Sequence, residues 1–238
     1  MLKRVLWLFA VVLSCASFLY ASKIYVIDTP TTCILSCGSY SVDFKYFSYG
    51  NVISEINFGV FKSLDLGVSW ELDKFIGDKK IKVVVPVFHV KLRLYGGSMA
   101  LPEFVLGYDG RVIFINTNDG YYGGEYAQRC KGLYFVIGKE FFIEGLMFNL
   151  GINMSDFSKP KIYWFSNATM PLYKEFVFFV LEYDNINFFS GARFNCGLRF
   201  SVTEYLDIDW VVRDCCGRKD VERASNERML RISYLGKF

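Results

Sequence analysis

The chain has 238 residues, with 27 Lys and Arg against 24 Asp and Glu, a formal net charge of +3. Near-balance without a long basic run excludes a nucleic-acid partner. Aromatics at 18%, 20 Gly and only 5 Pro suit many strands joined by tight turns rather than helices.

Lys3 and Arg4, the apolar stretch from Val5 to Leu13 and the small residues Ser14, Ala16, Ser17, Ala21 and Ser22 read as a secretory signal peptide. Cleavage is expected after Ala21. Leu19 is bulkier than that site prefers, which keeps Ala16 as an alternative, and Cys15 gives a faint lipoprotein pattern that Leu13 fits badly. The expected organisation is a signal peptide over 1–21, an irregular segment over 22–37 and a barrel over 38–238. Removing Lys3 and Arg4 leaves the charge near zero. Beyond the leader no apolar run approaches the roughly 20 residues a helical span needs. A membrane role would therefore require a closed barrel, the other structure that satisfies every backbone group in lipid.

Alternation begins with Tyr40, Val42, Phe44 and Tyr46 against Ser41, Asp43 and Lys45. A turn at Tyr49-Gly50-Asn51 leads to Val52, Ile56, Phe58 and Val60 against Glu55, Asn57 and Gly59. After a reversal at Lys62-Ser63 comes the cleanest strand, Leu64, Leu66, Val68, Trp70 and Leu72 against Asp65, Gly67, Ser69, Glu71 and Asp73. Phe88, Val90, Leu92 and Leu94 then oppose His89, Lys91 and Arg93, before a turn at Gly96-Gly97 and a strand over 102–108. Residues 109–131 read as a long loop. Further strands are expected over 133–137, 146–154, 162–168, 177–183, 194–200, 206–212 and 230–238, the last with Leu230, Ile232, Tyr234, Gly236 and Phe238 on one face.

The fold class is therefore all-β, a single antiparallel transmembrane barrel of about 12 strands, with 10 or 14 as alternatives, each strand near the roughly 9 to 11 residues a tilted membrane strand needs. Short reversals alternate with longer connections, as periplasmic turns and outer loops do in bacterial barrels. Tyr and Trp near strand ends (Tyr40, Tyr46, Trp70, Tyr108, Tyr134, Tyr163, Trp164, Tyr183, Trp210) suit an interfacial girdle.

Several short stretches, Gly38-Ser39-Tyr40-Ser41-Val42, Asn57-Phe58-Gly59-Val60-Phe61, Leu64-Asp65-Leu66-Gly67-Val68-Ser69, Leu106-Gly107-Tyr108-Asp109-Gly110, Lys131-Gly132-Leu133-Tyr134, Leu181-Glu182-Tyr183-Asp184-Asn185 and Gly197-Leu198-Arg199-Phe200, resemble small bacterial outer-membrane proteins. They look like the barrel portion of exopolysaccharide-associated proteins of the YjbH type. That resemblance implies an outer-membrane location in a Gram-negative-type bacterium and a link to surface polysaccharide. Ile232, Tyr234 and Phe238 also resemble the terminal signal read by the barrel-assembly machinery, with Gly236 where a bulky residue is usual.

No nucleophile elbow, phosphate loop, dinucleotide fingerprint or zinc helix appears, and no enzyme, cofactor or metal is expected. His89 is the single imidazole, set beside Lys91 and Arg93 on an inward face without an identifiable Ser partner. Glu182 and Asp184, then Arg193 and Arg199, then Asp207, Asp209 and Arg213, then Arg231 alternate in sign across neighbouring strands. Two readings fit this: a salt-bridge ladder inside the lumen, or a charge screen along a narrow path. Phe178, Val180 and Leu235 on the same side point to a partly filled interior, with Arg199 between Glu182 and Asp209. Tyr121, Tyr122 and Tyr126 in the long loop could stack on sugar. Cys33 with Cys37, or Cys130 with Cys215 or Cys216, could be oxidised, and Cys196 reads as a free thiol on an apolar face.

These features give a monomeric, non-enzymatic outer-membrane barrel whose partner is membrane lipid, acting as a narrow passive channel or as an envelope component linked to exopolysaccharide. The alternatives are a soluble periplasmic barrel with its apolar faces turned to a ligand and, less favoured, a lipid-acting enzyme.

Overall fold

The computed structural model describes residues 24–48, 50–77, 80–111, 131–141, 145–154, 157, 160–186, 192–215 and 226–238. The signal peptide, the tyrosines of the long loop, Cys130 and Cys216 lie outside them. Thirteen strands form one sheet: β1 Ser39–Phe47, β2 Val52–Phe61, β3 Leu64–Asp73, β4 Lys82–Val83, β5 Val87–Tyr95, β6 Glu103–Asp109, β7 Gly132–Glu140, β8 Met147–Met154, β9 Ile162–Tyr173, β10 Val177–Ile186, β11 Arg193–Ser201, β12 Leu206–Arg213 and β13 Glu227–Lys237. Each long strand pairs antiparallel with its neighbours, β13 returns to β1 and β2 to β3, so the ring closes without a free edge. The twelve long strands make the barrel. The remaining one, β4, lies within what reads from sequence as a plain connection, because the backbone of Lys82 and Val83 extends the ladder beside Leu72 and Asp73.

The period-two pattern sorts the side chains. Inward rows include Ser41, Asp43 and Lys45 on β1, Asp65, Ser69, Glu71 and Asp73 on β3, and Asp207, Asp209 and Arg213 on β12, all shielded from solvent to a large degree. Outward rows carry Phe58, Leu66, Val90, Leu92, Leu106, Leu133, Phe148, Leu150, Trp164, Trp210 and Leu230, all exposed; Phe88 reaches 72% and Trp210 59%. A barrel that is apolar outside and charged inside reverses the arrangement the soluble alternative requires. By the strand order and antiparallel pairing, β2 to β3, β5 to β6, β7 to β8, β9 to β10 and β11 to β12 join at the end where β13 finishes, and β1 to β2, β3 to β5, β6 to β7 and β12 to β13 join at the other.

The terminal strand explains its own irregularity. Tyr40 of β1 stands directly opposite Gly236, and its ring occupies the space a Cβ at 236 would need. Phe238 then packs against the same ring at 5.0 Å between centroids, near Phe58 at 6.2 Å. The bulk usual at that outward position is supplied from the neighbouring strand, an aromatic covering a glycine.

Candidate functional site in the lumen

The interior is occupied by the chain's own N-terminal segment. Residues 24–31 form a tight hairpin, with a bridge between Tyr25 and Pro30, Thr31 N–H donating to the Ile24 carbonyl at 3.0 Å and Val26 N–H to the Thr29 carbonyl at 3.1 Å. The segment then descends past Gly59, where the Leu35 and Ser36 carbonyls fill the position of a side chain. Ile24 through Cys33 are all buried. The sequence reading has this stretch as irregular. Asp28-Thr29-Pro30 carries a turn signal, but nothing local to it says that the turn sits inside a barrel.

A peptide placed in a lumen must satisfy its backbone there, and the wall does so with charged side chains. On the donor side, the N–H groups of Ile27, Asp28 and Thr29 converge on one carboxylate oxygen of Glu182 at 3.2, 2.9 and 2.7 Å, joined by the Thr29 hydroxyl at 2.7 Å. The other Glu182 oxygen accepts from Asn195 at 2.7 Å. Leu35 N–H donates to Asp65, at 3.0 Å to the nearer oxygen, and Thr32 N–H to Asn149 at 3.1 Å.

On the acceptor side, Lys91 Nζ donates to the carbonyls of Ile24 at 3.0 Å and Cys33 at 2.6 Å. Arg231 reaches the Tyr25 carbonyl at 3.3 Å, Arg199 that of Val26 at 3.2 Å, and Lys45 that of Ile27 at 3.1 Å. Asn167 donates to the Pro30 carbonyl at 3.1 Å and to the Thr29 hydroxyl at 2.9 Å. The Tyr25 ring lies under the Arg111 guanidinium at 4.0 Å, a cation–π contact.

The sequence-selected charges all face this lumen and are buried, except Arg93, which is half-buried. Their pairing departs from a simple ladder. Arg199 holds Asp209 with two hydrogen bonds, at 2.9 and 3.1 Å, and Arg231 shares that carboxylate at 2.7 Å. Glu182 is not Arg199's other partner. The register sets Phe178 opposite Arg199 and Asn195 opposite Glu182, which displaces the carboxylate along the barrel and leaves it to the hairpin. Arg213 pairs with Asp28 of the hairpin at 2.8 Å and with Glu227. Asp184 pairs with Lys131, and Arg193 and Asp207 stand on the same inner rows.

His89 directs Nε2 to the Asn57 amide oxygen, with the Glu55 carboxylate at 3.4 Å; Glu55 in turn pairs with Arg111, which also grips Asp109. These contacts use the imidazole as a structural link. Lys45, Glu55, Asn57, Asp65, Arg111, Asn149, Asn167 and Asn195 also belong to the site; the first four read from sequence only as polar-face strand positions, and the last four were not singled out. One signal was present: an Asn at an inward strand position is disfavoured for a strand and invites a polar partner.

Two girdle expectations are corrected. Tyr134 and Tyr163 lie on inward rows, Tyr134 only 1% exposed. Strand β7 is apolar on both faces, so alternation alone could not orient it. Gly107, opposite Tyr134, leaves space for the ring on the inner side. Ile232, Tyr234 and Phe238 are on the outward row of β13, and Phe238 N–H donates to the Gly38 carbonyl at 2.9 Å.

Below the hairpin, toward the end where β13 finishes, a cavity of about 320 Å³ remains, lined by residues that include Tyr25, Leu35, Arg93, Glu103, Arg231 and Lys237. Among the described residues no cluster of His, Cys, Asp and Glu is arranged to hold a metal ion.

No protein-family model matches the chain. No curated protein matches it in sequence either. Among solved structures, it is similar to the KdgM porin at 11% identity and a TM-score of 0.48, covering 84% of this chain and 99% of that one. The NanC porin is similar at 10% identity and a TM-score of 0.43, covering 84% and 99%. The Acinetobacter baumannii outer membrane protein Omp33 is similar at 7% identity and 0.43, covering 84% and 97%. The architecture described above rests on the strand pairing itself.

Proposed function

We propose that this protein is an outer-membrane barrel of a Gram-negative-type bacterium whose lumen is a narrow passive channel, closed by residues 24–36 of its own chain. The outward apolar rows support the membrane setting, since a face of Phe, Leu, Val and Trp around a closed sheet suits lipid. Export by the signal peptide and recognition of Ile232, Tyr234 and Phe238 by the assembly machinery belong to the same reading.

The observation that carries the channel is the way the hairpin is held. Apart from the Arg213–Asp28 ion pair, the Thr29 hydroxyl's bond to Glu182 and the Arg111–Tyr25 contact, its contacts with the ionic part of the wall are hydrogen bonds between wall side chains and hairpin backbone, which water can replace when the segment leaves. A typical net hydrogen bond is worth only about 0.5–1.5 kcal/mol, and one to a charged group roughly 1.5–3 kcal/mol. A plug fastened this way is releasable, and its departure would expose a passage lined by Lys45, Lys91, Arg199 and Arg231.

The second reading is the envelope component linked to surface polysaccharide that the YjbH-type resemblance implies. The same occlusion favours it, because a barrel that never opens serves as a scaffold. Planar-bilayer recording of the purified protein and of the Lys45→Ala/Arg199→Ala variant separates the two. The channel reading expects rare, small steps in the wild type and frequent, larger ones in the variant. Silence in both, with the barrel correctly folded, would leave the scaffold.

A further inference from the structure

Cys196 lies on the outward row of β11, opposite Val212 of β12. Where β12 ends at Arg213 the chain does not run on extended. Asp214 adopts a φ of 54°, a left-handed conformation that residues other than glycine, Asn and Asp rarely take. The surroundings hold it there: Asp214 N–H donates to the Asn195 side-chain oxygen at 2.8 Å, and Cys215 N–H to the Phe194 carbonyl at 2.8 Å. The turn folds Cys215 back over β11, so that its Sγ stands 3.2 Å from Cys196 Sγ. Two thiols are thereby brought together by a left-handed residue, a side-chain anchor and a backbone hydrogen bond.

We propose that Cys196 and Cys215 are an oxidation site, joined in the exported protein as a disulfide that staples the start of the 214–226 connection to β11. The proposal rests on the export reading, because disulfides persist in oxidising compartments. It departs from the sequence reading, which pairs Cys33 with Cys37, or Cys130 with Cys215 or Cys216, and takes Cys196 as a free thiol. Cys37 Sγ donates to the Val60 carbonyl at 3.3 Å, and Cys33 is buried in the inserted segment.

The reaction needs an oxidant, which is a dithiol oxidase of the envelope in its disulfide form. One cysteine thiolate attacks an oxidase sulfur, breaking the oxidase S–S bond and forming a mixed disulfide; the second thiolate displaces the oxidase from the first. One S–S bond forms in the barrel and one is lost in the oxidase. The two electrons and the two thiol protons end on the reduced oxidase. Partial burial, and then contact with Cys196, push the Cys215 thiol up to about 11. The raised value disfavours the thiolate and so slows uncatalysed exchange.

The test uses the full chain purified from envelopes without reductant, acid-quenched, alkylated with iodoacetamide, digested and mapped by mass spectrometry, alongside the Cys130→Ser/Cys216→Ser variant, which removes competing partners. The expected result is a Cys196–Cys215 cross-linked peptide in both proteins, replaced after reduction by two alkylated peptides. In a second arm the reduced, folded variant is equilibrated with oxidised glutathione at pH 8. No cross-link in either arm overturns the proposal on its geometry. A cross-link in the redox buffer, with two alkylated thiols in the cellular protein, overturns it too, and counts against the export reading rather than the contact.

Discussion

Two arcs of the lumen wall meet the inserted hairpin by different means. Strands β10 to β13 present Glu182, Arg199, Asp209, Arg213 and Arg231, which bind the hairpin or one another. Strands β6 to β9 present Val105, Tyr134, Val136 and Phe165, packed as one buried apolar cluster, with Asn149 and Asn167 as polar contacts beside it. Glycines make that second arc fit: Gly107 faces Tyr134 and Gly151 faces Phe165 across adjacent strands, and in each case the ring fills the missing side chain's space. The first arc holds a peptide; the second occupies volume. Loss of a group from the ionic arc should loosen the hairpin within an intact barrel, whereas crowding the aromatic arc should damage the barrel.

The largest effect is expected at Glu182. Glu182→Ala leaves three buried N–H groups and the Thr29 hydroxyl without their shared acceptor, and each buried donor left unsatisfied costs about 1–3 kcal/mol. The hairpin should become protease-sensitive while the barrel keeps its heat-modifiable gel mobility; Glu182→Gln, which retains an acceptor, should fall between. Barrel unfolding in step with hairpin release would break the distinction between the arcs.

Arg199→Ala should cost less, about 2 kcal/mol, in line with the loss of hydrogen bonds to a charged group, because Asp209 keeps Arg231 at 2.7 Å. Denaturant unfolding of folded protein measures it. Combined with Glu182→Ala, the loss should be less than additive, since both groups hold residues 26–29 and a hairpin already released has no second contact to lose.

On the other arc, Gly107→Val forces a branched side chain into the Tyr134 ring, and overpacking of this kind costs roughly 1–3 kcal/mol. The reading is a lowered unfolding temperature of the whole barrel with the hairpin still protected from protease. The double change Gly107→Val/Tyr134→Ala should recover much of it, which a defect unrelated to the ring would not.

The smallest effect on stability is expected at the chain end. Deleting Phe238, 86% exposed in the isolated barrel, should shift the unfolding temperature of assembled protein hardly at all. On the proposed reading, in which the outward terminal aromatic is recognised during assembly, it should nevertheless lower the yield of inserted barrel. Normal insertion would show that the residue is dispensable.

Much of this architecture was legible residue by residue. Alternation placed Leu64 to Asp73 and Leu206 to Arg213 with the correct row outward, because a side-chain period of two assigns every residue of a strand once one face is known. Where both faces are apolar, as in β7, the period is silent, and Tyr134 was assigned outward. The inward charges were readable as inward but not as partners. Partnership depends on register, and the register places Phe178 opposite Arg199 and Glu182 two inward positions away.

What the sequence by itself determined is therefore the closed antiparallel sheet of about twelve strands, its polarity and the outward terminal aromatic, all of which follow from local periodicity and turn chemistry. Tertiary structure alone decided that residues 24–36 enter the lumen, that Glu182 gathers their N–H groups, that Tyr40 fills the gap at Gly236, and that Cys215 turns back to Cys196. Each joins segments far apart in the chain or depends on a backbone turn, and a buried backbone group takes whichever partner the closed barrel brings within hydrogen-bonding distance.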